Sequence, residues 1–345
     1  MNKKILIIRL SALGDVMFTI PLANVLKDNG YEVSWLVSEK GYQILKDNPC
    51  VDKVIFVPIE KWKKCKNKIK NFKEYLEIIK QLRAENFDIA IDNQMLWKSF
   101  RFTRFCGAKR RLIAKDAREF SQLGGNEIIP AIKEGYKLHV VKTYLKYAQY
   151  LGLNTDNIKI TLPPLKEELK INAEELLSET DKNKKIVIIC PATTWKDKHW
   201  DKDNFKAVVE SLKDKVNIVF TGMEKDNDLI EYISNGIGIN LAGKTSQEEL
   251  RAIFEKADLV ISLDSGSTHL AWATQKPKII SIYCATPKSF YAPIGDENKY
   301  IAIQSENCIP CHKRKCPLKG KDKNKCTLSP NPEKVLEQVN KLLGF

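Results

Sequence analysis

Two aspartates stand where apolar runs turn into helices. Asp264 closes LVISL within ADLVISLDSGSTHLAWATQKP (257–277), and Asp15 closes SALGD (11–15) after KKILIIR (3–9). A strand that turns through Gly266 into a helix from about Ser267 leaves the first helical N–H groups unpaired. With the positive end of the helix dipole, those groups form a ready anion site. Asp264, Ser265 and Gly266 sit at the carboxyl end of that strand, where open α/β sheets bind ligands. Asp15 stands at a second helix start, which favours its ionised carboxylate and leaves it able to accept a proton. Gly14 lets backbone or ligand approach closely. The same residue types also serve as plain helix caps, so their chemistry depends on the company they keep.

That company follows along the chain. CPATTWKDKHW (190–200) comes directly after another apolar run. Thr193 and Thr194 supply hydroxyls and Lys198 a positive charge, a set that suits a diphosphate and its departure. TGMEKD (221–226) offers Glu224 and Asp226, either of which can accept from ribose hydroxyls. Ser246 and Glu249 have capping-box spacing, a structural role. Lys61, Lys63, Lys64, Lys66, Lys68 and Lys70 interleave with Trp62, and Arg104, Lys109, Arg110, Arg111, Lys115 and Arg118 form a second basic set. Either could hold phosphate, carboxylate or anionic headgroups, or be a solvated face. Cys308, Cys311, Cys316 and Cys326 open with a zinc-ligand spacing, C-x2-C, and four thiolates can close a tetrahedral zinc site. The overall spacing fits no standard zinc knuckle, so free thiols are the alternative. SALGD lacks both the G-x-G-x-x-G and the P-loop patterns, so neither NAD nor a P-loop nucleotide is supported.

These motifs need strand ends to stand on. Apolar runs at 3–9, 32–37, 53–57 and 87–91 alternate with helical patterns that run from the end of the 10–15 turn to about 27 and over about 42–47 and 71–85, which predicts a doubly wound parallel sheet. The stretch 123–137 is ambiguous, and a helix is predicted over 139–151. A Pro163-Pro164 pair and a charged run then mark a connection over about 158–184. The alternation restarts with strands at 186–190, 217–220, 239–241, 259–263 and 278–283, and helices between them. A terminal helix is predicted over 332–345. The expected division is a first domain over 1–165, a second over 166–330, and a helix at 331–345 that could pack back on the first. Two such domains would leave a ligand cleft between them.

Composition sets the outer bounds. A chain of 345 residues, 43% hydrophobic and 29% charged, is an ordinary globular protein of about two domains. Its net charge of +14 suggests an anionic partner. No run reaches the roughly 18 apolar residues of a membrane span, and no cleavage pattern follows the first apolar run, so a cytoplasmic protein with reduced cysteines is expected. A basic, non-catalytic nucleic-acid binder with a Cys-rich zinc element is the competing class. The lack of clustered aromatics for base stacking speaks against it.

SALGD, ATTWKDKHW and LDSGSTHLAWA, in this order, with AREF at 117–120, resemble glycosyltransferase family 9, the bacterial heptosyltransferases of lipopolysaccharide core assembly. The loop pattern is most similar to the enzyme adding the first heptose, and the Cys-rich segment to the second heptosyltransferase. The resemblance implies a GT-B fold of two Rossmann-like domains, with the acceptor bound mainly by the first and the nucleotide sugar by the second. It also implies an inverting reaction without a catalytic metal. ADP-heptose would be the donor, and a lipid-linked Kdo–lipid A type acceptor the partner. The protein would then work at the cytoplasmic face of the inner membrane, without nucleic acid. By position, Asp15 matches the general base, and Ser11, Gly14, Lys61, Lys63, Lys64 and Arg118 match acceptor positions. Thr193, Thr194, Lys198, Asp264, Ser265, Gly266 and His269 match donor contacts, and Thr245 an adenine-pocket position. For the ribose, an ungapped reading favours Asp226 over Glu224.

Overall fold

The computed structural model describes residues 3–133 and 135–345, which divide into two units, Met1–Pro164 and Leu165–Phe345. The first unit runs β1 (Lys4–Ile8), α1 (Leu13–Asp28), β2 (Glu32–Ser38), α2 (Glu39–Leu45), β3 (Lys53–Val57), α3 (Ile59–Lys64), α4 (Lys68–Ala84), β4 (Ile89–Asp92), α5 (Trp97–Phe105), β5 (Arg110–Ala114), β6 (Glu127–Ile129) and α6 (Val140–Tyr150). The second runs α7 (Glu167–Leu176), β7 (Ile186–Cys190), α8 (Lys202–Leu212), β8 (Asn217–Phe220), α9 (Asn227–Ser234), β9 (Ile239–Asn240), α10 (Gln247–Lys256), β10 (Leu259–Leu263), α11 (Gly266–Thr274), β11 (Lys278–Tyr283), α12 (Lys288–Tyr291), β12 (Tyr300–Gln304) and α13 (Pro332–Leu343).

Each unit is built on a six-stranded sheet. The orders are β3-β2-β1-β4-β5-β6 and β12-β11-β10-β7-β8-β9, and all pairings are parallel. Numbered within its own unit, each sheet has the doubly wound order 3-2-1-4-5-6. The central strands are covered on both faces and read as unbroken apolar runs: KILII, IVIIC and LVISL are buried almost throughout.

The order reverses between β1 and β4 in the first unit, and between β7 and β10 in the second. There the chain leaves in opposite directions from neighbouring strand ends and opens a crevice at the carboxyl edge. Asp15 and Gln94 follow β1 and β4. Lys198 and Asp264 follow β7 and β10. The fold thus brings the polar residues of the sequence motifs to these two switch points.

Three strands are additional to the predicted set: β5, β6 and β12. The ambiguous stretch 123–137 holds β6, and Glu134 lies outside the described residues. In the connection over 158–184, α7 packs on α10 and so belongs to the second unit. The terminal helix also departs from the expected partner. Val335, Val339, Leu342 and Leu343 on α13 are buried in the second unit's own core with Val208, Leu212 and Ile280. Their spacing at i, i+4, i+7 and i+8 is one apolar stripe of a helix. At roughly 1.5–3 kcal/mol for each fully buried aliphatic side chain, that stripe is an integral part of the unit.

Candidate active site

In the first unit, β1 delivers Arg9 and the following turn to the switch point. Gln94, just past β4, holds this turn: its Oε1 accepts from the Leu10 and Ser11 N–H groups at 3.1 and 3.0 Å. Gln94 and Met95 in turn donate their backbone N–H groups to Asp92 Oδ1 at 3.1 and 2.9 Å. Asp15 enters as the third residue of α1, and its Oδ2 accepts the Ala12 N–H at 3.3 Å. The cap reading of the sequence is therefore part of the answer.

The other carboxylate oxygen has different company. Arg9 Nη2 lies 2.6 Å from Asp15 Oδ1, and the Tyr144 hydroxyl, from α6, donates to the same oxygen at 3.0 Å. Arg9 also donates to the Tyr144 oxygen at 2.9 Å and lies over its ring. A second guanidinium nitrogen donates to the Asn93 carbonyl. Burial alone would raise the Asp15 pKa. The Arg9 charge, with the hydrogen bonds from Tyr144 and Ala12, carries it below the usual carboxylate range instead. Asp15 is an ionised, oriented carboxylate whose side chain keeps 31% exposure while that of Arg9 has 6%.

Cations gather around it. Lys98 Nζ donates to the Ser11 hydroxyl. Its pKa is lowered by burial and by the nearby Arg9, and it feels Lys63. Lys133 is likewise lowered, by burial, then by Arg118 and Arg9. Of the predicted acceptor positions, Ser11 and Gly14 lie in the turn beside Asp15, while Lys63 and Arg118 act electrostatically on Lys98 and Lys133. Lys61 is turned to Glu74 at 2.7 Å, and Lys63 also pairs with Glu60 at 2.9 Å. Lys64 has no ion pair among the described residues. Arg9, Gln94, Lys98, Lys133 and Tyr144 were not singled out as site residues from the sequence.

Tyr144→Phe tests the clamp. The loss of one hydrogen bond to a charged group, about 1.5–3 kcal/mol in general, is expected to raise the Asp15 pKa. Turnover should fall about tenfold at neutral pH, with the acid limb of the pH–rate profile moved to higher pH. An unmoved profile would count against the clamp.

In the second unit, Asp264 leaves the end of β10 with 4% exposure. Its Oδ2 lies 2.5 Å from Lys198 Nζ and accepts from the Thr286 hydroxyl at 2.6 Å. His269 Nε2, one turn into α11, lies 3.4 Å from Oδ1. Burial would raise this carboxyl. The His269 hydrogen bond and the Lys198 charge instead hold it far below the usual carboxylate range. Thr193 donates its hydroxyl to the Asp264 carbonyl at 3.2 Å, which ties the loop after β7 to the loop after β10. Thr194 is exposed in that same loop. Ser265 is the N-cap of α11, its Oγ accepting the Thr268 N–H at 3.5 Å. Thr286, which the sequence reading passed over, completes the cluster from the loop after β11. Lys198 itself is steered by the Trp195 ring, with Nζ 4.4 Å from the centroid.

Glu224 and Asp226 follow β8, and Thr245 follows β9, on the same carboxyl edge. Their roles separate. Asp226 Oδ2 accepts the Met223 N–H at 2.9 Å and closes a 3-10 turn. The Glu224 carboxylate is exposed and has no hydrogen-bond partner among the described residues. Gly243 packs against Glu224: at φ +74° a Cβ there would stand 2.9 Å from the Glu224 Cα. The Gly243 N–H reaches the Gly222 carbonyl at 3.0 Å. The geometry thus leaves both carboxylate oxygens of Glu224 open to a ligand, and Asp226 only its Oδ1, with the Thr245 loop beside them. Ser246 and Glu249 form the capping box their spacing predicts.

Cys308, Cys311, Cys316 and Cys326 share the lining of one pocket of about 570 Å³ with Cys284. All are free thiols. Burial, then the neighbouring Cys308, Cys311 and Cys316 thiols, push Cys326 up to about 11. Among the described residues, no three His, Cys, Asp or Glu side chains converge as a metal-binding group.

Comparison with known proteins places this geometry. Residues 75–322 match the profile of glycosyltransferase family 9 (heptosyltransferase). The chain is 28% identical to lipopolysaccharide heptosyltransferase 1 of Campylobacter coli, over 99% of both chains. It is 29% identical to lipopolysaccharide heptosyltransferase 3 of Escherichia coli K12, over 96% of this chain and 95% of that one. Its fold superimposes on the E. coli heptosyltransferase WaaC solved with ADP, at a TM-score of 0.73 and 22% identity, covering 98% and 99% of the two chains. The fold is GT-B, with two doubly wound units. Among the described residues no helix is long and apolar enough to cross a membrane.

Proposed function

We propose that this chain, which belongs to glycosyltransferase family 9, transfers heptose from ADP-L-glycero-β-D-manno-heptose to the Kdo–lipid A inner core of lipopolysaccharide, with inversion. The observation that carries this reading is the Asp15 carboxylate, held ionised and oriented by Arg9 and Tyr144 among further cations. Such a site suits an anionic acceptor whose hydroxyl must lose a proton. Asp15 takes that proton as the acceptor oxygen bonds to the anomeric carbon, on the face opposite the diphosphate. The anomeric C–O bond to phosphate breaks, and its electron pair leaves with ADP. A carboxylate below the usual range accepts the proton late, when bond formation has made the hydroxyl acidic.

The second unit supplies the donor side. Lys198 has three protons, and Asp264 engages one, so two remain for the departing diphosphate. The N–H groups at the start of α11, by Ser265 and Gly266, add to them. Glu224 takes the ribose hydroxyls, and Thr245 lies at the adenine. The donor class is supported by the ADP bound in the superimposed structure. A second reading is transfer to a later core sugar. The Cys-rich segment and the likeness to a heptosyltransferase 3 favour it.

Calorimetric titration with ADP-heptose, ADP, UDP and GDP tests the donor, and transfer to Kdo–lipid A against a heptosylated core tests the acceptor. Selective binding of the two adenine ligands is expected. Glu224→Ala should weaken ADP about tenfold, the scale of one hydrogen-bonded carboxylate. Asp226→Ala should lower the melting temperature and spare affinity. Indifference of the folded protein to all four nucleotides would remove the transferase reading. The reverse ranking of the two variants would return the ribose to Asp226.

A further inference from the structure

Residues 61–73 hold Lys61, Lys63, Lys64, Lys66, Lys68, Lys70 and Lys73 and no acidic residue. Lys61 and Lys63 pair with Glu74 and Glu60. The other five make no ion pair among the described residues. Across this segment α4 begins, and it has two apolar faces. Tyr75, Ile79 and Leu82 enter the core of the first unit. Ile69, Phe72 and Leu76 do not: they are 71%, 56% and 46% exposed. Their spacing, i, i+3 and i+7, is a single stripe along the helix. Phe72 stacks on Tyr75 with centroids 6.2 Å apart. Arg101 of α5 lies over the same Tyr75 ring at 5.1 Å, so positive charge also borders the stripe from the neighbouring helix.

A solvated basic face has no use for three large apolar side chains in water. A nucleic-acid face would use the lysines and leave the aliphatic stripe idle. An anionic bilayer uses both, with phosphates for the ammonium groups and the headgroup–acyl boundary for the apolar side chains. We infer that the α4 stripe, with the lysines of 64–73, docks this protein on an anionic lipid surface. The inference rests on the transfer reading only for its purpose, the delivery of the enzyme to a lipid-linked acceptor.

Co-sedimentation of the full chain with vesicles of phosphatidylcholine alone, or mixed with phosphatidylglycerol, tests it. Binding to the mixed vesicles only is expected. Ile69→Gln/Phe72→Gln/Leu76→Gln should lower that binding by more than about tenfold with an unchanged circular dichroism spectrum, since none of the three is buried. Lys66→Gln/Lys70→Gln/Lys73→Gln should cost about fivefold per lysine. Transfer to a deacylated, soluble acceptor should survive in both variants. Absence of wild-type binding to the mixed vesicles would overturn the inference. So would full binding by the apolar variant, or duplex RNA binding that competes with the vesicles and ignores the stripe. If soluble transfer fails in the wild type while stripe-dependent vesicle binding persists, the transfer reading falls and this inference stands.

Discussion

Asp15→Asn is expected to lower turnover by about three orders of magnitude, within the range for loss of a general base, while ADP binds as tightly as before. The nearly isosteric amide keeps an oxygen for Arg9 and Tyr144, so the clamp on Oδ1 persists. What disappears is the capacity to take a proton, together with the weak acceptance of the Ala12 N–H by Oδ2 at 3.3 Å. The asparagine is the cleaner probe. Asp15→Ala would leave the Arg9 guanidinium, whose side chain is 6% exposed, without its carboxylate. An unpaired buried charge of this kind costs about 3–5 kcal/mol, so a dead alanine variant could simply be an unfolded one. Steady-state transfer, ADP titration and thermal melting on the same preparation separate these effects. Full activity in Asp15→Asn would remove Asp15 as the base. Lost ADP affinity with an intact fold would move Asp15 to the donor side.

The sequence was most readable where burial is complete. Strands covered on both faces must be apolar throughout, so β1, β7 and β10 stand out as KILII, IVIIC and LVISL. Strands toward the sheet margins escape this constraint. β6 and β12 are edge strands and β5 lies next to an edge. EII is short, RRLIA opens on two arginines, and YIAIQ is only partly buried. The central groups of the site were readable for a related reason. A polar residue at the end of an apolar strand and the start of a helix needs a purpose, and Asp15, Lys198 and Asp264 each occupy such a place or the loop beside it. Their partners carry no local mark. Tyr144 reaches Asp15 across 129 residues, and Thr286 reaches Asp264 across 22. Each sits in a stretch whose own pattern is satisfied by packing or by a turn, and only the strand order brings them together. Glu224 and Asp226 differ by one fact that spacing cannot supply: one oxygen of Asp226 already serves the local turn.

Lys198→Ala should produce a comparable loss on the donor side, with an added signature in stability. Removing one preorganised donor to a departing anion typically costs about 10²–10³ in rate, and ADP affinity should fall with it. The same change strands Asp264, whose side chain is 5% exposed, with only His269 and Thr286. A penalty of about 3–5 kcal/mol is expected at neutral pH. The sign of its pH dependence follows from the carboxyl pKa, which folding lowers from 3.8. Such a group stabilises the fold above its unfolded pKa, and that stabilisation is lost as pH falls through the folded value. Without the lysine the folded pKa lies higher, so the variant loses its share earlier on acidification. Its deficit against wild type should be greatest near neutrality and shrink once Asp264 is protonated in both. Lys198→Ala/Asp264→Asn removes both charges and should recover most of the stability but none of the turnover. That split distinguishes a lysine that serves the diphosphate from one that merely neutralises a buried acid. If the double variant regains transfer, Lys198 is a counter-ion, and the diphosphate must be held by the α11 N-terminus alone.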